Sequence, residues 1–248
     1  MALITPQQVI DISFTNKNTD QYLVKPAFVE ISELNFIQPL MGEKLYENIS
    51  EEFTDGETWT WADVRCSTVS GSPDVTINTP NSQPIKIYDF LSSVDIPLYE
   101  DSTGSGNCGR GLNKVVSFTV DGSGFVNKFK MSGAARTTNA VSTITFRRPN
   151  AVLKEDYIVK YLAFCVKFEM MPDMSYNTTS QGVVENVADF TMPVDAKKLN
   201  FLRNETFKKS DTYSRRMTRF LKENSNAYPD YYDELSGGVS KLNGIILY

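Results

Sequence analysis

The sequence predicts an α+β fold: a helical domain interrupted by an inserted antiparallel β domain, a small sandwich or barrel, and followed by an extended C-terminal tail. Three observations predict it. Residues 1–58 and 150–232 carry apolar side chains at steps of three and four, the helical period. Residues 59–149 lose that period and alternate short β-branched and aromatic runs with clusters of Gly, Ser, Pro, Asn and Asp. Residues 233–248 pass through Gly237-Gly238 and finish in a short apolar run. Insertion of one domain into another is tolerated where chain ends lie close together at a surface.

The first helical segment begins at Pro26, a residue suited to a first helical turn. Its apolar positions are Phe28, Ile31, Leu34, Ile37, Leu40, Met41, Leu45, Ile49 and Phe53. Pro39 lacks a backbone donor and biases Gln38 away from the helical region. The spacing therefore predicts a helix over about 26–38, a sharp break, and a second helix to about 53. Gly42 costs about 1 kcal/mol relative to Ala inside a helix, so it is expected where backbones come close. Pro39 and Gly42 together are read as a helix elbow.

In the β segment, "DVTINT", "PIKIYDF", "KVVSFTV", "FVNKFKM" and "VSTITFR" have strand character. Asp121-Gly122-Ser123-Gly124 is the expected turn of a hairpin between two of them. Helix returns at Asn150, an expected N-cap, with Leu153 or Tyr157, then Ile158, Tyr161, Leu162, Cys165, Val166 and Phe168 on a broad apolar stripe. Pro172 is expected to close it, and a loop containing "TTSQGVV" follows. A long helix over about 195–224 has Leu199, Leu202, Thr206, Tyr213, Met217, Phe220 and Leu221 as its stripe.

Composition narrows the function. The 248 residues carry a formal net charge of −5, against a protein that coats nucleic acid. There is no histidine, which removes Ser-His-Asp chemistry, histidine metal ligation and the commonest general base near neutral pH. Cys66, Cys108 and Cys165 are widely spaced, with neither metal-ligand spacing nor a disulfide framework, and fit a reduced compartment. The first residues lack the basic start and apolar run of a signal peptide, and no stretch approaches the roughly 18 apolar residues of a membrane span. Gly104-x-Gly106-x-x-Gly109 matches a dinucleotide fingerprint as a string, but strand rather than helix follows it. No cofactor, no metal and no catalytic activity are expected.

Charge is unevenly placed. Residues 1–58 hold ten Asp and Glu against three Lys, with Glu43, Glu47, Glu51 and Glu52 on the second helix. Residues 195–223 hold nine Lys and Arg against four acids. Lys208, Lys209, Arg215, Arg216, Arg219 and Lys222 form a basic face that could track a phosphate backbone, pair with acidic helices of a neighbouring copy, or simply be solvated. Gly244, Ile245, Ile246, Leu247 and Tyr248 make an apolar end that either packs on its own domain or docks elsewhere by strand addition.

The order of "ISELNFIQPLMGEKLYENI", a helix near 157–170, "TTSQGVV" and "RRMTRFLKENSNAYPDYYDEL" resembles the head–tail connector, or adaptor, proteins of tailed bacteriophages. It is most similar to those of crAss-like phages of Bacteroidetes. The resemblance covers residues 22–55 and 150–232 and leaves out the β insert. It implies a helical connector-type bundle that assembles as a ring, usually of twelve copies, below the portal at the neck of the virion, made in the bacterial host cytoplasm. The implied partners are further copies of the chain, the portal protein, other neck and tail proteins and, without sequence preference, packaged DNA; no membrane is implied. The C-terminal segment, residues 244–248, is implied to reach the portal.

Two rivals stand beside this reading. A virion-associated β-domain module could bind a carbohydrate or another virion protein through an aromatic platform of Trp59, Trp61, Tyr88 and Tyr99. A carboxylate-only enzyme would have to draw on Asp63, Asp74, Asp89, Asp95, Glu100, Asp101 and Asp121, which are scattered mostly in turns.

Overall fold

The computed structural model describes residues 2–15, 20–54, 60–78, 85–96, 112–179, 182–185 and 196–231. It is mixed helix and antiparallel sheet, and the chain clusters into two units. The first comprises Met1–Asp55, Lys154–Thr218 and Asp230–Tyr248; the second comprises Gly56–Leu153 and Arg219–Pro229.

The first unit opens with α1 (Pro6–Ser13), which carries a capping box: Thr5 accepts from the backbone of Gln8 while the Gln8 side chain accepts from Thr5 N. Next come α2 (Pro26–Ser32), a π-helical turn (Glu33–Ile37), α3 (Gln38–Met41) and α4 (Glu43–Thr54). The break falls at Gly42 and not before Pro39. Pro39 lies within continuous helix just after the π turn, whose wider backbone tolerates its missing donor. Gly42 has φ 83° and ψ 150°, a conformation essentially reserved for glycine, and no atom lies within 4 Å of where its Cβ would be. Conformation, not close approach of backbones, explains this glycine.

The π turn also changes which side chains are buried. Val29, Glu33, Ile37 and Met41 line the interior, whereas Ile31 and Leu34 face out. Steps of four drift by about 40° per turn in an α-helix, and the wider π turn takes up that drift.

The central helix is built from α5 (Pro149–Val152), a second π stretch (Leu153–Ile158) and α6 (Val159–Ser175). Pro149 occupies its first turn, with Arg148 and not Asn150 at the cap, and Pro172 sits inside α6 without ending it. Tyr161, Leu162, Ala163, Phe164, Cys165 and Val166 are all buried in succession. A helix that is apolar on all sides is a core helix. Phe164 stacks on Tyr213 (ring centroids 5.5 Å apart), and Phe168 meets Phe207 (5.7 Å) and Phe36 (6.4 Å). Lys167 donates to Ser13 O at 2.7 Å, tying α6 to the end of α1. The region containing "TTSQGVV" is a strand pair, β7 (Tyr176–Thr179) and β8 (Gly182–Glu185), rather than an irregular loop. α7 (Ala196–Glu223) is the longest helix among the described residues.

The second unit holds a curled antiparallel sheet of six strands in the order β3-β6-β1-β2-β5-β4. These are β1 (Thr60–Thr68), β2 (Asp74–Ile77), β3 (Phe90–Ser92), β4 (Val115–Val120), β5 (Val126–Met131) and β6 (Asn139–Arg147). The sheet bends back on itself: Val115 N donates to Asp89 O (2.9 Å), Tyr88 N to Val115 O (2.8 Å) and Leu91 N to Asn113 O (3.0 Å). The result is a half-barrel around Val64, Cys66, Val75, Phe129, Ile144 and Phe146. The β4–β5 hairpin turns at Asp121, whose Oδ1 accepts from Ser123 N and Phe125 N, with Gly124 at φ 84°. "PIKIYDF" contributes only its last residue to a strand, because Lys86 and Asp89 close a turn there. In the same unit Tyr228 is buried, donates to Pro149 O at 2.5 Å, and packs on Phe220.

Candidate functional site

Two charged features stand out. One is a cleft of about 600 Å³ formed by α2, the π turn and α4, lined by Glu30, Glu33, Leu34, Tyr46, Glu47 and Glu51 among others. Glu33 lies at its back, 5 % exposed, accepting from Leu3 N at 2.6 Å and from the Tyr46 hydroxyl at 3.1 Å. Burial holds its carboxyl above the usual range against the opposing pull of these two hydrogen bonds. Burial and the adjacent Glu33 push the Tyr46 hydroxyl up as well. Glu43, Glu47 and Glu51 are exposed along α4, and Glu52 is half-buried. Among the described residues no group of three or more His, Cys, Asp or Glu is gathered so as to hold a metal ion.

The other feature is α7. Thr206, Ser210, Met217, Phe220 and Leu221 are buried on one side, while Lys208, Lys209, Arg215, Arg216, Arg219 and Lys222 are exposed on the other. The predicted stripe fails at its start, where Leu202 is exposed. Much of the positive charge is answered within the helix. Lys208 pairs with Glu205 (2.7 Å), Arg215 with Asp211 (2.8 Å) and Arg219 with Glu223 (2.6 Å). Such exposed pairs contribute about 0.3–0.5 kcal/mol each and lower the field available to phosphates.

Asp230 joins two separate stretches of sequence. It accepts from Asn48 Nδ2 at 2.8 Å and forms an ion pair with Lys44. Sequence spacing alone gave no signal for this junction, since the partners lie 182 residues apart.

The remaining candidates fall as follows. Gly244, Ile245, Ile246, Leu247 and Tyr248, with Trp59, Tyr99, Glu100, Asp101, Cys108 and the glycine-rich stretch, lie outside the described residues. Trp61 is half-buried against the sheet core beneath the Arg148 guanidinium, 4.8 Å from the ring centroid, so its face is already occupied. Asp63 and Asp74 are exposed, and three other acids of the sheet unit have structural work. Asp89 is buried beside Arg148 (3.6 Å), Asp95 accepts from Thr137 (2.5 Å) and Asn139 (3.2 Å), and Asp121 holds the hairpin turn. Cys66 and Cys165 are free and buried; burial pushes the Cys66 thiol up to about 12 and raises that of Cys165 too. Neither is poised as a nucleophile. Among the described residues no helix is long and apolar enough to cross a membrane.

The fold describes a class: an α+β protein with an antiparallel half-barrel β-domain. Residues 119–240 match the model of a family of unknown function, DUF6712, just under half of the chain, from the end of β4 through α7. No curated protein and no solved structure matches the chain.

Proposed function

We propose that this chain is a structural subunit of the neck of a tailed-phage virion, forming a ring below the portal that extends the DNA channel and joins head to tail. One observation carries the reading. Asp230 belongs to "NAYPDYYDEL" and its partners Lys44 and Asn48 belong to "FIQPLMGEKLYENI", the two segments on which the resemblance to connectors rests. Two segments of family-like sequence joined in one helical unit are the arrangement a shared fold requires. The acidic α4 and the basic α7 add to it. A head-to-tail ring needs two different, complementary patches on one subunit, and opposite charges supply the register.

In this reading α7 faces a neighbouring copy, and residues 244–248 dock on the portal by strand addition. Quantitative peptide mass spectrometry of purified virions tests it. The expected result is a copy number in step with the portal, about a dozen per particle. Absence from the particle, or hundreds of copies, overturns it.

A further inference from the structure

The cleft of the helical unit has a mixed apolar and acidic lining, with Pro26 and Leu34 beside the exposed carboxylates of Glu30, Glu47 and Glu51. Leu34 is 49 % exposed. None of the lining residues belongs to α7.

The first turns of α7 carry the opposite pattern. Lys197 and Lys198 are exposed, and Phe201 and Leu202 are 64 % and 47 % exposed. At about 100° per residue, Lys197, Lys198 and Phe201 share one side of the helix. A solvent-facing Phe beside Leu is costly to leave in water. Covering such side chains is favourable.

We propose that the first turns of α7 in a second copy of this chain dock in this cleft. Phe201 lies over Leu34 and Pro26, and Lys197 and Lys198 meet Glu47 and Glu51. Charge complementarity selects this occupant: three exposed lining carboxylates meet a helix end with two lysines, and the exposed Leu34 and Pro26 meet the exposed Phe201. Groove and helix end are different patches of one unit, so each copy offers one and accepts the other. A contact of this kind propagates head to tail and closes into a ring when its rotation permits. The inference rests on the ring reading for that closure, and it names the contact.

Sedimentation of the purified full-length chain tests it. Self-association is expected at low salt and weakens as salt rises. Lys197→Glu with Lys198→Glu is expected to weaken association about tenfold or more, and so is Glu47→Lys with Glu51→Lys. All four positions are exposed, so circular dichroism should be unchanged. Combining the four changes in one chain restores the charge match and should recover association to within about threefold of the original. Phe201→Ser should weaken it at every salt concentration.

Three results overturn the contact: association indifferent to either reversal, no association at any concentration, or cross-linking of Glu47 in virions to a lysine of a different protein. A virion copy number in step with the portal, found with any of these, leaves the ring and removes this contact. Rescue by charge exchange in a chain absent from virions does the reverse.

Discussion

Glu33 and Gly42 set the geometry of the helical unit residue by residue. Glu33 is buried and hydrogen-bonded to Leu3 N and the Tyr46 hydroxyl, and burial raises its carboxyl above the ordinary 4.5. The folded state therefore holds this proton more tightly than the unfolded chain. Its contribution is fully present below the unfolded value and is lost as pH rises through the raised one. Relative to Glu33→Gln, the natural chain should lose stability as pH increases from about 4.5 toward neutrality, as read by thermal unfolding across that range. A difference that does not change with pH would contradict the buried-carboxyl assignment. Gly42→Ala should cost about 1–3 kcal/mol despite open space for the added methyl, because the backbone conformation itself excludes it. Pro39→Ala should be tolerated. The reverse order in chemical denaturation would return the elbow to the proline.

Among the elements, the central helix and α7 were the most legible in the sequence. The central helix is an apolar run too long for a strand, α7 keeps a clear helical period, and α7 appears within a residue or so of its expected limits. The β4–β5 hairpin was equally plain because Asp-Gly-Ser-Gly has few other uses between alternating strands. β1 escaped notice because Asp63, at φ 60°, sits in an irregularity between Trp61 and Val64 that breaks the alternation. The two π turns were invisible for a related reason. They shift a helical phase by a fraction of a turn, which moved Ile31 and Leu34 from expected core to surface. Of the two, Leu34 lines the cleft. On α7, reversing Arg215, Arg216 and Arg219 to Glu sets like charges against Asp211 and Glu223. The helix should remain folded by circular dichroism, while assembly into particles falls. Unaltered, DNA-filled particles would leave this face merely solvated.

At the scale of the whole molecule, two units divide the work in this account. The helical unit carries the charged surfaces through which copies meet, and the half-barrel is a self-contained core closed by Phe129 against Phe146 at 5.3 Å. Removing residues 244–248 should leave the melting transition unchanged and abolish attachment to the portal; normal attachment would dismiss the docking role of that segment. The central claim, a ring of this chain at the neck, is tested most directly by a focused cryo-electron reconstruction of the portal vertex of the virion. The account predicts density for this chain, repeated around the channel axis immediately below the portal. Density for it anywhere else, or a portal vertex that lacks it, would contradict the account.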